Sequence, residues 1–221
     1  MNVEVGTLKH YPISLSLEKK LVVIVGGGVI SERKVRKLLG TGATITIISP
    51  EITENIKVFV NEGKVEWKNK LFSDEDISDA FLIIAATNSK HVNRQVYEAC
   101  NELQLISVVD DPHMGNFIVP STLTRGKLAI SVSTGGASPG LAKKIVTDLA
   151  KQYDDVYESY LDFLAECRGE IQNVIADSKV RQKMLKVLLE PVFFEYTKSK
   201  LYKERQELFL RLLNSNGEIE G

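Results

Sequence analysis

Leu21-Val22-Val23-Ile24-Val25-Gly26-Gly27-Gly28-Val29-Ile30-Ser31-Glu32-Arg33-Lys34 is the stretch whose reading decides the fold. An apolar run of strand type breaks into three glycines and opens into a charged segment with helical spacing. That order describes a buried parallel strand, a tight turn, and a helix whose free N–H groups and positive dipole end face an anion. The pyrophosphate of a dinucleotide is the anion such a turn suits. Val35, Leu38, Leu39 and Gly42 carry the helix on at i, i+3, i+4 and i+7 to about Leu39, and Gly40 and Gly42 end it.

The pattern repeats downstream. Ala43–Ile48 reads as a second buried strand closed by Ser49-Pro50, and Ile52–Val60 as a helix. A short strand is expected near Val65–Trp67. Ala80–Ala86 is a third apolar strand ending at Thr87-Asn88, followed by a helix containing Val92, Val96 and Ala99. Leu105–Val109 is a fourth, ending at Asp110-Asp111-Pro112. Strands alternating with helices predict a doubly wound, Rossmann-like parallel sheet with ligand bound beyond the carboxyl ends of its strands. Upstream, Tyr11, Ile13, Leu15 and Leu17 alternate with polar residues, the pattern of a half-buried strand.

Beyond Pro112 the pattern changes. Phe117–Leu123 and Lys127–Ser133 read as two strands of a hairpin around Thr124-Arg125-Gly126. A second glycine-rich loop, Ser133-Thr134-Gly135-Gly136-Ala137-Ser138-Pro139, follows, with Ser138 as N-cap and Pro139 at the first helical position. From Leu141 onward only helices are expected. Tyr153, Val156, Tyr157, Tyr160, Leu161 and Leu164 keep one apolar stripe, the tyrosines reading as core or interface. Val180, Met184, Val187 and Leu188 keep another, with Pro191 dividing the last two helices and a frayed polar tail over Asn214–Gly221. The expected division is an α/β dinucleotide-binding domain over 1–112, a small α+β segment over 113–150, and a helical domain over 151–221.

The bulk properties exclude other classes. With 221 residues and a formal net charge of −1, the chain is no nucleic-acid binder working through global charge. Its apolar runs are too short to span a bilayer, and its N-terminus lacks a signal-peptide pattern. Two cysteines, Cys100 and Cys167, suggest neither a disulfide framework nor a metal site, so a reduced cytoplasmic setting is expected. His10, His91 and His113 have no ligand spacing, and no resident metal is expected.

Gly26, Gly27, Gly28, Val29 and Ile30 are the pyrophosphate candidates. Ser31 stands where G-x-G-x-x-G has its last glycine, a place that needs only a small residue. About twenty residues on, where an acid ordinarily holds the adenosine ribose, stand Ser49, Pro50 and Glu51. No arginine sits in that loop to meet a 2′-phosphate, so NAD is expected over NADP. Thr87 and Asn88, at the next strand end, are placed beside the nicotinamide half.

Five motifs, in order, resemble the siroheme synthase family and, more narrowly, its precorrin-2 dehydrogenase/sirohydrochlorin ferrochelatase module. They are Val25-Gly26-Gly27-Gly28, Glu32-Arg33-Lys34, Ala85-Ala86-Thr87-Asn88, Val108-Val109-Asp110 and Ser133–Pro139. The likeness runs from about Tyr11 to Leu149 and implies NAD-dependent oxidation of precorrin-2 to sirohydrochlorin by a stand-alone homodimer paired through its middle segment. It implies insertion of ferrous iron in some members, which is the alternative reading; a non-catalytic NAD-sensing module is the remaining one. The resemblance makes Asp110 the key carboxylate, suited to removing a proton as hydride leaves the macrocycle. Asp111 competes for that role, and Asp110-Asp111-Pro112 also reads as a plain turn. Ser133, Thr134, Gly135, Gly136 and Ser138, with Asn116, are the substrate-binding candidates. In one branch of the family the place of Thr134 is associated with phosphorylation. Arg125, Lys127, Lys143 and Lys144 are candidates to neutralise the substrate's carboxylates.

Overall fold

The computed structural model describes residues 10–215. The chain divides into two compact units, one ending at Val119 and the other beginning at Pro120.

In the first unit the expected alternation is present. It runs β1 (Leu21–Val25), α1 (Val29–Leu38), β2 (Thr44–Ile48), α2 (Glu54–Asn61), β3 (Glu66–Lys68), β4 (Leu82–Ala85), α3 (Lys90–Glu98) and β5 (Leu105–Val108). The five strands form one parallel sheet in the order β3-β2-β1-β4-β5. Central β1 runs Val22 to Val25 with almost no exposure, because helices cover both faces. Val22 and Ile24 pack with Ile45, Ile47, Val35 and Ile56 on one side; Val23 and Val25 pack with Ile83, Ala85, Val96 and Ile106 on the other. The chain leaves β1 toward β2 and β3, then returns to pair β4 on β1's other edge. The crevice of such a sheet therefore opens where β1 and β4 end.

Two short 3-10 turns, Asp74–Ile77 and Pro112–Met114, lie in stretches where no element is expected from the residue pattern. Tyr11–Leu17 is not a strand: it pairs with no sheet, and Tyr11, Ile13 and Leu15 are exposed while only Leu17 enters the core. Alternation supplied the pattern, but a strand also needs a free edge, and none receives this segment.

The second unit opens with the antiparallel hairpin β6 (Ser121–Arg125) and β7 (Leu128–Val132). Its turn is Gly126-Lys127, with Gly126 at φ +51°, and the first strand begins later than expected. Five helices follow: α4 (Pro139–Gln152), α5 (Val156–Val174), α6 (Ser178–Val187), α7 (Pro191–Lys198) and α8 (Tyr202–Asn214). Ser138 caps α4 by accepting from the Leu141 N–H, with Pro139 in the first turn as expected. Phe163, Phe193, Phe209, Met184 and Leu188 form the helical core, and the Tyr160 hydroxyl donates to the Leu188 carbonyl at 2.7 Å. Of the tyrosine stripe Tyr160 is core, while half-buried Tyr157 packs with it on the Phe194 ring. Pro191 starts α7 rather than dividing the last two helices; a further break at Lys200, φ +58°, separates α8. Of the expected frayed tail, residues 216–221 lie outside the described residues.

Candidate active site

The glycine turn leaves the sheet with the Gly26 N–H still donating to the Ile48 carbonyl at 2.8 Å. Each glycine then answers a different demand. Gly26 has φ +111°, and a Cβ there would meet the Ala86 carbonyl oxygen at 2.5 Å. A Cβ on Gly27 would fall 1.9 Å from the Glu51 carbonyl oxygen, because the loop after β2 crosses directly over it and donates Thr53 N–H to the Gly27 carbonyl. Gly28 has ordinary φ and nothing within 4 Å of a Cβ position. The first two glycines are closed by the protein itself, and the third leaves open space at the N-terminus of α1. There the first amides of the helix have no intrahelical acceptor.

That space belongs to a cleft of about 650 Å³ walled by the ends of three strands. Gly26–Gly28 follow β1, Ser49–Thr53 follow β2, and Ala86–Asn88 follow β4; Lys70–Phe72 and the α3 residues Val92 and Gln95 complete it. The expected cofactor residues Gly26, Gly27, Gly28, Ser49, Pro50, Glu51, Thr87 and Asn88 thus share one cavity. Val29 and Ile30 do not line it: Val29 faces solvent and Ile30 packs on the core, so these two can offer only backbone. Ser31 is fully buried as the small residue against the sheet, with its hydroxyl lacking any hydrogen-bond partner.

Residues outside the motif hold these loops. Glu32 accepts from the Thr53 hydroxyl at 2.9 Å and Asn55 at 3.0 Å as well as from Arg36, tying α1 to the loop after β2. The Arg36, Thr53 and Asn55 donors hold its carboxyl below the usual range, against the opposing effect of desolvation. The Trp67 indole N–H donates to the Ser49 carbonyl at 2.9 Å and fixes the end of β2. Lys70 brings an ammonium into the cleft wall that the sequence did not anticipate, and Asp76 and the Ser73 hydroxyl, each 3.0 Å away, engage it.

Asp110 and Asp111 separate cleanly. Asp111 accepts from the His113 N–H at 3.0 Å and caps the Pro112–Met114 turn, the plain structural role. Asp110 is exposed just beyond β5, and its Oδ1 accepts from Asn93 Nδ2 at 2.6 Å. Asn93 is buried in α3, and its amide also pairs with Thr87, in the wall of the cleft, through three hydrogen bonds: the Thr87 N–H at 3.1 Å and hydroxyl at 2.7 Å donate to Oδ1, and Nδ2 donates to the Thr87 carbonyl at 3.2 Å. Asp110 therefore does not line the cleft but is joined to it through Asn93, a residue the sequence reading missed. Its only signal there was an asparagine in the interior of a helix, where asparagine is a poor helix former.

Other candidates fall elsewhere. The Asn116 amide is committed to the β5 edge, donating to the Gln104 carbonyl and accepting from the Ile106 N–H, so it acts as an extra rung of the sheet. In the second unit, Gly135 and Gly136 have φ of +60° and +87° with open space at their Cβ positions. The Ser133 and Thr134 hydroxyls accept from the N–H groups of Gly135 and Ser138, shaping the loop before α4. Arg125 and Lys127 pair with Asp155, just before α5, and Asp162 of α5, and Lys143 and Lys144 are exposed on α4. Burial pushes the Cys100 thiol to about 11 and the Cys167 thiol to about 12, so neither is a nucleophile near neutral pH.

Known proteins resemble both parts of the chain. Residues 13–121 match a family described as putative NAD(P)-binding, and residues 157–209 match the SirC C-terminal domain. A precorrin-2 dehydrogenase of Priestia megaterium is 32% identical over 198 residues, covering 90% of this chain and 96% of that protein. A precorrin-2 dehydrogenase of Bacillus subtilis (strain 168) is 38% identical over 155 residues, covering 70% and 92%. The solved structure of SirC, precorrin-2 dehydrogenase, superposes with a TM-score of 0.79 at 31% identity, covering 93% of this chain and all of that one.

Proposed function

The chain belongs to the precorrin-2 dehydrogenase family, and we propose that it oxidises precorrin-2 to sirohydrochlorin with NAD in siroheme synthesis. The observation that carries this reading is the placement of one carboxylate, Asp110, at the strand end beside the wall of the glycine-turn cleft.

The cleft fits a dinucleotide on its own geometry. Gly28 leaves the room a phosphate needs to approach backbone, and the N-terminal amides of α1 supply donors and a positive dipole end. Ser49, Pro50 and Glu51 would border the adenosine, and Thr87 and Asn88 the nicotinamide half. The only cation in the wall among the described residues, Lys70, is engaged by Asp76, in keeping with a cofactor that lacks a 2′-phosphate. NAD, when bound there, supplies the acceptor for the hydride.

The chain's own residues do the rest. Asp110 takes the proton that the macrocycle gives up, through the carboxylate oxygen that Asn93 does not occupy. Dehydrogenation removes a hydride and a proton, so a base beside the hydride acceptor completes the balance. Ser133, Thr134, Gly135, Gly136 and Ser138 remain the candidates to receive substrate carboxylates, since the open loop before α4 offers hydroxyls and amides. Two copies pair through the segment 113–150, where the two-stranded β6–β7 sheet has no further strand on either edge among the described residues. No helix among the described residues is long and apolar enough to cross a membrane.

Incubating the full chain with precorrin-2 and NAD tests the reading. NADH should appear in step with loss of precorrin-2, and absence of NADH with authentic substrate contradicts it.

A further inference from the structure

Asn93 is a buried polar side chain at the site whose role the cofactor and the base do not explain. Its place in α3 makes it costly: asparagine is a weak helix former, and a buried amide must find every partner it had in water. It finds them all. Oδ1 takes the Thr87 N–H and hydroxyl, and the two Nδ2 hydrogens go to the Thr87 carbonyl and to Asp110 Oδ1. None of these bonds serves α3 itself. The sheet order explains how one side chain reaches both loops: β4 and β5 are neighbours, and the Val109 N–H still donates to the Ala85 carbonyl just before the two chains part.

The amide cannot be turned over. A backbone N–H only donates, so Thr87 forces the oxygen of Asn93 toward itself and a hydrogen toward Asp110. Asp110 Oδ1 is thereby met by a donor and held as an acceptor, and Oδ2 alone is left to receive a proton. We propose that Asn93 is the positioning residue of the reaction: from inside α3 it aims the Asp110 carboxylate and fixes which oxygen takes the proton, in register with the Thr87 edge of the cofactor cleft. The inference rests on Asp110 being the base.

Asn93→Asp is the informative variant. It keeps the volume and the acceptor for the Thr87 N–H but, as a carboxylate, has no hydrogen for Asp110 or for the Thr87 carbonyl. In the full-length enzyme with NAD and precorrin-2, kcat should fall by about 10–100-fold, the scale on which loss of an orienting partner acts, with NAD affinity changed by less than about threefold. Asn93→Ala should lower kcat on the same scale. A folded Asn93→Asp enzyme turning over within about twofold of the parent overturns the proposal. Should the Asn93 variants not fold, the side-chain amide of Asn93 followed by NMR in Asp110→Ala decides: one hydrogen should shift and lose protection from exchange, and an unchanged amide overturns the proposal. Undiminished turnover by Asp110→Ala removes the base assignment instead, whatever the Asn93 amide shows.

Discussion

Asn93 Nδ2 donates a 2.6 Å hydrogen bond to Asp110 Oδ1, joining the interior of α3 to the carboxylate beyond β5. The same amide closes on Thr87 beyond β4, so two loops far apart in sequence are locked at one point beside the cofactor cleft. The site is thus a sheet-edge assembly rather than a single motif.

The three glycines should respond differently to the same substitution. Gly27→Ala drives a methyl into the Glu51 carbonyl and the Ile52 side chain, and a clash of this kind costs about 1–3 kcal/mol. Its melting temperature should fall visibly. Gly28→Ala meets nothing in the protein and should melt with the parent, while NAD affinity, measured by calorimetry, drops about tenfold or more as the methyl occupies the phosphate's approach. Equal stability of the two variants would contradict this division of roles.

Ser31 carries a buried hydroxyl without a partner. Ser31→Ala removes the desolvated group, keeps the small volume and improves helix propensity, so denaturant unfolding should show a gain of about 0.5–1 kcal/mol. Ser31→Gly, which recreates the usual fingerprint, should gain nothing because glycine weakens the first turn of α1.

Glu32 gives the fold a dependence on acidity. Its folded carboxyl sits below the ordinary value of 4.5, chiefly through Arg36 and Thr53. A depressed carboxyl stabilises the folded chain fully above its unfolded value and loses that contribution as pH falls through the folded one. The melting-temperature gap between parent and Glu32→Ala should therefore be open at neutral pH and close as the pH is taken below 4.5 toward the lowered folded value. A gap that widens on acidification would contradict the assignment.

Much of this was legible in the residues. Leu21–Gly28 announced a strand and a phosphate turn because a five-residue apolar run cannot be surface and three glycines cannot be helix interior. The strand ends Ser49, Thr87 and Asp110 were legible for the same reason, each following an apolar run. Asn93 was not, since one polar residue on a helix looks like its wet face until the order β4-β5 places two loops beside it. Nor was the division of labour between Asp110 and Asp111, which depends on which carboxylate the following turn takes as its cap. Tyr11–Leu17 misled through its alternation, because pairing is a property of the sheet edge and not of the segment. The ion pairs of Arg125 and Lys127 were not legible because their partners, Asp155 and Asp162, lie far along the chain, just before α5 and on it.

The central claim, that the cleft holds NAD while Asp110 removes the proton, is tested most directly by comparing Asp110→Ala with the parent in NAD binding and in NADH production from precorrin-2. NAD affinity should stay within about twofold, since Asp110 is outside the cleft wall, while turnover falls by about 100-fold or more. Retention of full turnover by Asp110→Ala would contradict the account.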